Sequence, residues 1–119
     1  MTDREEFEVA VKALDSKKAK DIKVLKIDEL TILANYFVIA SATSTTQVKA
    51  LADEVEFQLG ERGVQAKSIE GYQSKSWIVL DYVDVIVHIF LESEREFYQL
   101  EHLWADGTPV DISALVTED

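Results

Sequence analysis

Cysteine is absent from this 119-residue chain, which also has only one proline and four glycines. Without cysteine there is no disulfide framework, no zinc–thiolate site and no thiol nucleophile. No apolar run approaches the roughly 18 residues that a membrane span needs. The first ten residues, MTDREEFEVA, are acidic and lack both a signal-peptide core and the arginine-rich, acid-poor pattern of a transit peptide. We therefore expect a protein of the cytoplasm.

Positive charge is scarce in the second part of the chain. Residues 1–49 hold eight Lys/Arg and eight Asp/Glu, whereas residues 50–119 hold four and fifteen, which accounts for the net charge of −11. Such a surface repels phosphate backbones and attracts basic partners. We expect no primary nucleic-acid contact and no membrane contact. A basic protein partner is permitted, although many acidic proteins are merely soluble.

The pattern of elements predicts a single α/β domain over residues 1–119, because no repeat or Pro/Gly linker divides the chain. Apolar residues at helical spacing predict a first helix in REEFEVAVKALDS, and Ser44 with Gln47 has the spacing of a capping box for a second. DIKVLKID, NYFVIA and VQAKSIE read as strands, and a hairpin follows. Ser93 with Glu96 predicts a last helix. The order indicates a mixed five-stranded sheet with flanking helices, and strand–helix–strand predicts a right-handed parallel crossover.

The most apolar segment, residues 76–93, carries Asp81, Asp84 and His88. Three readings compete: a metal or catalytic site, a charged turn with a satisfied core histidine, or a partner-binding face. Metal sites need several convergent ligands, and none stands at a recognised spacing beside the aspartates. Aspartate is common in turns because its side chain accepts hydrogen bonds from nearby backbone amides. We predict no metal site here.

The hairpin register decides which side chains face the core. A two-residue loop (Tyr82, Val83) or a four-residue loop (81–84) pairs Leu80 with Val85 and, two residues further, Ile78 with Val87. One face is then wholly aliphatic and suits a helix-covered core, whereas the face with Trp77 and His88 is amphipathic. A slip of one residue would exchange the two faces.

An enzymatic reading is nucleotidyl transfer, which mixed α/β sheets can host. Two-metal phosphoryl chemistry needs carboxylates that converge, for example at alternate strand positions, and the strand 85–90 has none. The SATSTTQ loop could offer amides to an anion, but it lacks the glycines and lysine of a P-loop. Helix capping alone explains its hydroxyls. We predict no catalytic residue and no cofactor.

The last predicted helix carries a further hint of an interface. Its core stripe is Phe97, Leu100, Leu103 and Trp104, and Tyr98 lies on the opposite side with Arg95 beside it. Tyrosine with arginine is enriched at protein interfaces. Phe57, opposite the core stripe of its own helix, is a weaker candidate of the same kind.

Three segments carry a resemblance to a known family. NYFVIASATSTTQVKALADEV, EGYQSKSWIVLDYVDVIVHIF and EREFYQLEHLW resemble the ribosomal silencing factor (Iojap-like) family over most of the chain. The chain departs from the family pattern at Asn35, Ala42 and Val83. Val83 stands where the hairpin usually has glycine, and a β-branched residue resists positive φ, so the departure bears on the turn.

The resemblance implies a nucleotidyltransferase-like fold without demonstrated catalysis. It also implies binding to ribosomal protein fourteen of the large subunit, at the face that meets the small subunit, which would block subunit joining and repress translation. Two alternatives stand against this interpretation: a nucleotide-binding or nucleotidyl-transferring enzyme, and a homodimerisation module. A homodimer of the free protein is compatible with the ribosome-binding interpretation. We predict a partner-binding surface built on Trp77 as an apolar anchor with an acidic rim, comprising Glu70, Tyr72, Trp77, Asp81, Tyr82, Asp84, His88, Arg95 and Tyr98.

Overall fold

The computed structural model of the protein describes residues 1–30, 32, 34–74, 76–94 and 107–116. In chain order, the elements of these residues are α1 Asp3–Ser16, β1 Lys20–Lys26, β2 Tyr36–Ala42, α2 Thr45–Glu61, β3 Ser68–Glu70, β4 Trp77–Asp81, β5 Val85–Leu91 and β6 Thr108–Pro109. Ser93 lies within a short helical segment at residues 92–94 and therefore does not precede the helix as a cap should, whereas its predicted partner Glu96 and the stripe of the predicted last helix lie outside the described residues.

Helix α1 begins with a capping box that the sequence prediction did not include. The Glu5 amide donates to Thr2 Oγ1 at 3.1 Å, and the Thr2 amide donates to Glu5 Oε1 at 3.0 Å. These two bonds satisfy amides that have no partner within the helix. The apolar stripe that predicted the helix is buried as expected: Phe7, Ala10, Val11 and Leu14.

Helix α2 begins at the predicted cap, but only half of the predicted box forms. Ser44 Oγ accepts from the Gln47 amide at 3.1 Å, whereas Gln47 Oε1 accepts from the Thr43 amide at 2.8 Å rather than from that of Ser44. The Gln47 side-chain nitrogen donates to the carbonyls of Lys17 and Lys18. Gln47 therefore joins the start of α2 to the end of α1.

The sheet has six strands in the described residues, so the prediction of five was wrong. Its order is β3-β4-β5-β2-β1-β6, with β2 and β5 parallel and the other neighbours antiparallel. Strand β6 is only Thr108–Pro109, too short to give an alternating pattern, and its proline is typical of a sheet edge. Strand β3 runs parallel to β2, as predicted for the strand–helix–strand segment, but β4 and β5 lie between them.

The predicted hairpin register was wrong by two residues. Leu80 pairs with Val87 rather than Val85, and Ile78 pairs with Ile89. The physical reason is the turn, in which the Tyr82 amide donates to the carbonyl of residue 85 and residues 83–84 form the loop. Because the shift is an even number of residues, the predicted division into two faces is retained.

Two apolar clusters lie on the two faces of the sheet. The predicted aliphatic face packs against α1 and α2 in the larger cluster. The opposite face, predicted to be amphipathic, instead contributes to a second buried cluster, whose members are Leu25, Ile27, Ala34, Phe37, Ile39 and Phe90, with Trp77 and Ile86 packed against them. Alternation along β4 and β5 did not reveal this cluster because most of its members come from β1, β2 and the segment between them.

Candidate functional site

The turn between β4 and β5 uses Asp81 as a structural group. Asp81 Oδ1 accepts a hydrogen bond from the Val83 amide at 2.8 Å. The Asp84 side chain is exposed, and its carbonyl accepts from the amides of Asn35 at 2.8 Å and Tyr36 at 3.1 Å. Within the described residues, no group of three or more His, Cys, Asp or Glu side chains could hold a metal ion. The geometry favours the charged-turn interpretation of these two aspartates.

Val83 adopts the backbone conformation that its side chain disfavours. Its φ is +73°, and the Asp84 amide donates to the Tyr82 carbonyl at 2.9 Å, which closes a γ-turn around Val83. A β-branched residue at positive φ stores local strain. The side chain is 54% exposed, so Val83 stands at the tip of the hairpin beside Asp84.

Trp77, which the sequence analysis predicts to be an apolar anchor, contacts the side chain of His88. Trp77 Nε1 donates to His88 Nδ1 at 3.1 Å, and the indole stacks on Phe90 with ring centroids 5.1 Å apart. The His88 ring meets Phe37 edge-on at 4.6 Å. Trp77 is half-buried whereas His88 is only 6% exposed, so the indole is the part that a partner could reach and the imidazole orients it.

His88 is a neutral imidazole at pH 7, because burial lowers its pKa to about 4. Since Nδ1 accepts from Trp77, the ring proton lies on Nε2, which is buried and has no hydrogen-bond partner. The expectation of a satisfied sheet histidine therefore holds for one ring nitrogen only.

The pH dependence of stability follows from this pKa. Because the pKa of about 4 in the folded state lies below the ordinary histidine pKa of 6.5, the unfolded chain binds the proton more readily. His88 therefore contributes stability fully above pH 6.5, and this contribution is lost as the pH falls toward 4, by roughly 3 kcal/mol in total. We expect the difference in unfolding free energy between wild type and His88→Gln to shrink over this window, as measured by urea denaturation. A difference that stays constant with pH would contradict the assignment.

Tyr72 is linked to α2 by a hydrogen bond to Asp53, a residue that is also paired with Lys49. Its hydroxyl donates to Asp53 Oδ1 at 2.6 Å, and Lys49 Nζ lies 3.0 Å from Asp53 Oδ2 and 5.4 Å from the centre of the Tyr72 ring. Hydrogen bonds to Tyr72 and then to Asp53 raise the pKa of Lys49. This predicted site residue therefore holds the β3–β4 connection against the helix. Glu70, at the end of β3, is exposed.

The predicted site residues fall into separate groups. Trp77 and His88 are in contact, and Asp81 and Asp84 lie at the far end of the hairpin. Tyr82 does not join them on the Trp77 face, because its ring is 5% exposed and belongs to the cluster under α1 and α2. Two further predicted residues, Arg95 and Tyr98, lie outside the described residues.

The sequence prediction missed residues of α1 that lie near the hairpin tip. Asn35 Nδ2 donates to Asp3 Oδ2, and the backbone amide of Asn35 donates to Asp84. Glu6 is 9% exposed, and burial, followed by the charges of Asp3 and Asp84, raises its pKa. The sequence contained one signal that Glu6 is buried, namely its spacing. Glu6 lies one helical turn before Ala10 and therefore borders the buried stripe of α1.

Together these features define the class of protein: an α/β fold with a mixed six-stranded sheet, in which no group of three or more His, Cys, Asp or Glu side chains among the described residues could hold a metal ion. No helix among the described residues is long and apolar enough to cross a membrane.

The chain belongs to the family described as "Ribosomal silencing factor during starvation", whose profile matches residues 1–119. A Halalkalibacterium halodurans protein named ribosomal silencing factor is 35% identical over 98% of this chain and 100% of its own length. A crystal structure of a Chromobacterium violaceum protein is 39% identical, covers 88% of each chain and has a TM-score of 0.86. A mouse protein named mitochondrial assembly of ribosomal large subunit protein 1 is 30% identical over 83% of this chain and 45% of its own length. The family predicted from the three sequence segments is confirmed.

Proposed function

We propose that this chain binds the large ribosomal subunit through ribosomal protein fourteen and so prevents the small subunit from joining. Family membership and the names of the bacterial and mouse relatives support a role at the ribosome. The protein acts by occupying the face of the large subunit that meets the small subunit, without turnover of a substrate. It acts in the cytoplasm.

The observation that carries the proposal is the fixed position of Trp77. Its indole is half-buried, stacked on Phe90 and hydrogen-bonded to a buried histidine, so little side-chain freedom remains to be lost on binding. A rigid aromatic side chain that is partly exposed fits the centre of a small interface. Asp84 at the hairpin tip is exposed, and its negative charge attracts a basic ribosomal protein.

The experiment is sedimentation of purified small and large ribosomal subunits with and without the protein. We expect the protein to sediment with large subunits and to reduce the fraction of joined particles. Raising the salt from about 0.1 M to about 1 M shortens the Debye length from about 10 Å to about 3 Å, so the association rate should fall. Joined particles in undiminished amount, with the protein left in the unbound fraction, would overturn the proposal. Metal-dependent release of pyrophosphate from nucleoside triphosphates would instead support the enzymatic alternative.

A further inference from the structure

The β3–β4 connection leads directly into the anchor, because Trp77 is the first residue of β4. Tyr72 ties this connection to α2, since its hydroxyl donates to Asp53 Oδ1 at 2.6 Å. Helix α2 covers one face of the sheet, whereas the indole of Trp77 packs against the cluster on the opposite face. A residue of α2 therefore holds the segment that enters β4 from the far side of the sheet.

Gly71 brings this connection into close contact with the anchor's own backbone. A Cβ on Gly71 would lie 2.0 Å from the Trp77 carbonyl oxygen and 3.5 Å from Ile78 Cα, so no side chain fits between the two segments. Closely packed groups transmit a displacement to their neighbours instead of absorbing it. Because Tyr72 follows Gly71 in the chain, a movement of Tyr72 displaces the backbone that carries the indole.

Asp53 is itself held in one orientation by a second contact. Its Oδ2 lies 3.0 Å from Lys49 Nζ, and this ammonium lies 5.4 Å from the centre of the Tyr72 ring. Lys49 and Asp53 are one helical turn apart, which places both side chains on one face of α2. Their side chains are 44% and 46% exposed, so water screens the pair and its contribution to global stability is small. The effect of the contact is therefore local, on the connection that Tyr72 belongs to.

The indole makes its contacts in one orientation only. Trp77 Nε1 lies 3.1 Å from His88 Nδ1, and the ring stacks on Phe90. A hydrogen bond weakens steeply as its distance and angle depart from the ideal, so a small rotation of β4 at its first residue would weaken this one. A side chain that is already held in its binding orientation loses less freedom when a partner binds. A residue that fixes this orientation therefore raises affinity without touching the partner.

We propose that Asp53 of α2 is a positioning residue for the Trp77 indole and acts through the hydroxyl of Tyr72. Lys49 supports this role by holding the carboxylate of Asp53. The consequence for affinity rests on the proposed function, because it requires Trp77 to be the anchor for the large subunit. The orientation of the indole in the free protein does not depend on the partner, so it can be measured separately.

The first test follows the Trp77 indole in the free protein by ¹H–¹⁵N NMR. The chain has two tryptophans, so the indole signal that Trp77→Phe loses is that of Trp77. We expect Tyr72→Phe and Asp53→Ala to shift this signal, because each removes the bond that holds the connection and so weakens the indole's bond to His88. Asp53→Asn should leave the signal near its wild-type position, since the amide oxygen still accepts from Tyr72.

Glu54→Ala is the matched control on the same helix. Glu54 accepts a hydrogen bond from Gln58 at 2.7 Å and lies 3.9 Å from Lys17 Nζ, so this variant also removes one charge and one side-chain hydrogen bond. Neither of these partners belongs to the β3–β4 connection. We expect the Trp77 signal of Glu54→Ala to coincide with that of wild type, even if the melting temperature falls. If Asp53 only stabilised α2, the two alanine variants would give the same result.

The second test measures affinity for purified large subunits. We expect Tyr72→Phe and Asp53→Ala to weaken binding about fivefold, the effect of one hydrogen bond, and Asp53→Asn and Glu54→Ala to remain within about twofold of wild type. The double variant Tyr72→Phe/Asp53→Ala should bind no more weakly than either single variant, because both changes remove the same bond.

The two tests separate a failure of the positioning role from a failure of the proposed function. If wild type does not bind large subunits, the proposed function fails, and the Trp77 signal alone decides the role of Asp53. A Trp77 signal that is unchanged in Tyr72→Phe and Asp53→Ala, or that shifts equally in Glu54→Ala, would overturn the positioning role. Wild-type affinity of both variants, or additive losses in the double variant, would overturn it as well and leave the proposed function intact.

Discussion

Gly71→Ala is expected to destabilise the protein by at least about 4 kcal/mol, or to prevent folding. Gly71 has φ +79°, which an alanine tolerates poorly, and a Cβ built on it would lie 2.0 Å from the carbonyl oxygen of Trp77. That oxygen belongs to the backbone of β4, so a rotamer change cannot relieve the overlap. The neighbouring backbone would have to move, which would disturb the β3–β4 pairing and the position of the indole. Urea denaturation and near-ultraviolet circular dichroism measure the two effects.

Two other glycines supply matched controls for this variant. Gly63 has the same φ of +79° but no atom within 4 Å of its built Cβ, so Gly63→Ala measures the conformational cost alone, roughly 1 kcal/mol. Gly60 lies in α2 with the same open space, so Gly60→Ala should raise stability by roughly 0.5–1 kcal/mol through helix propensity. If Gly71→Ala behaved like Gly63→Ala, the close approach to Trp77 would not constrain the fold.

Local patterns in the sequence predicted the elements because each pattern has a local cause. Helical spacing in α1 and the Ser44 cap of α2 depend on residues within one or two turns, and both predictions are confirmed. The alternation in β4 and β5 predicted the two faces, since a shift of two residues leaves side chains on the same side. The family resemblance, which the comparisons confirm, supplied the functional hypothesis; the patterns alone did not.

Features that depend on unusual backbone or distant partners were not predicted. The register depends on Val83 at positive φ, a conformation that its β-branched side chain argues against. The second cluster depends on Phe37 and Ile39, which lie on a strand distant in sequence, and the burial of Glu6 depends on how α1 packs on the sheet. The periodicity of one strand contains no information about which strand lies beside it. These features could therefore be identified only from the assembled sheet.

Trp77→Ala and Leu80→Ala should separate the effect on binding from the effect on folding. The separation should be less complete than it would be if Trp77 lay on an amphipathic face, as the sequence predicted. Leu80 is fully buried under the helices, so Leu80→Ala should destabilise the fold by roughly 2–5 kcal/mol while folded molecules still bind large subunits. Trp77→Ala should weaken subunit binding by roughly 2 kcal/mol or more, the range of an interface hot spot. It should also lower stability, because the indole packs against the second cluster and on Phe90.

Trp77→Phe provides the control that distinguishes the two effects of the indole. A phenyl ring keeps an aromatic contact with Phe90 but cannot donate to His88, so it retains most of the packing and loses the hydrogen bond that orients the anchor. We expect Trp77→Phe to fall between wild type and Trp77→Ala in melting temperature, and to remain nearer to Trp77→Ala in subunit affinity. Melting temperature and subunit affinity, measured on all three variants, decide the assignment. If Leu80→Ala lost affinity at unchanged stability while both Trp77 variants bound normally, the binding face would lie on the helix-covered side of the sheet.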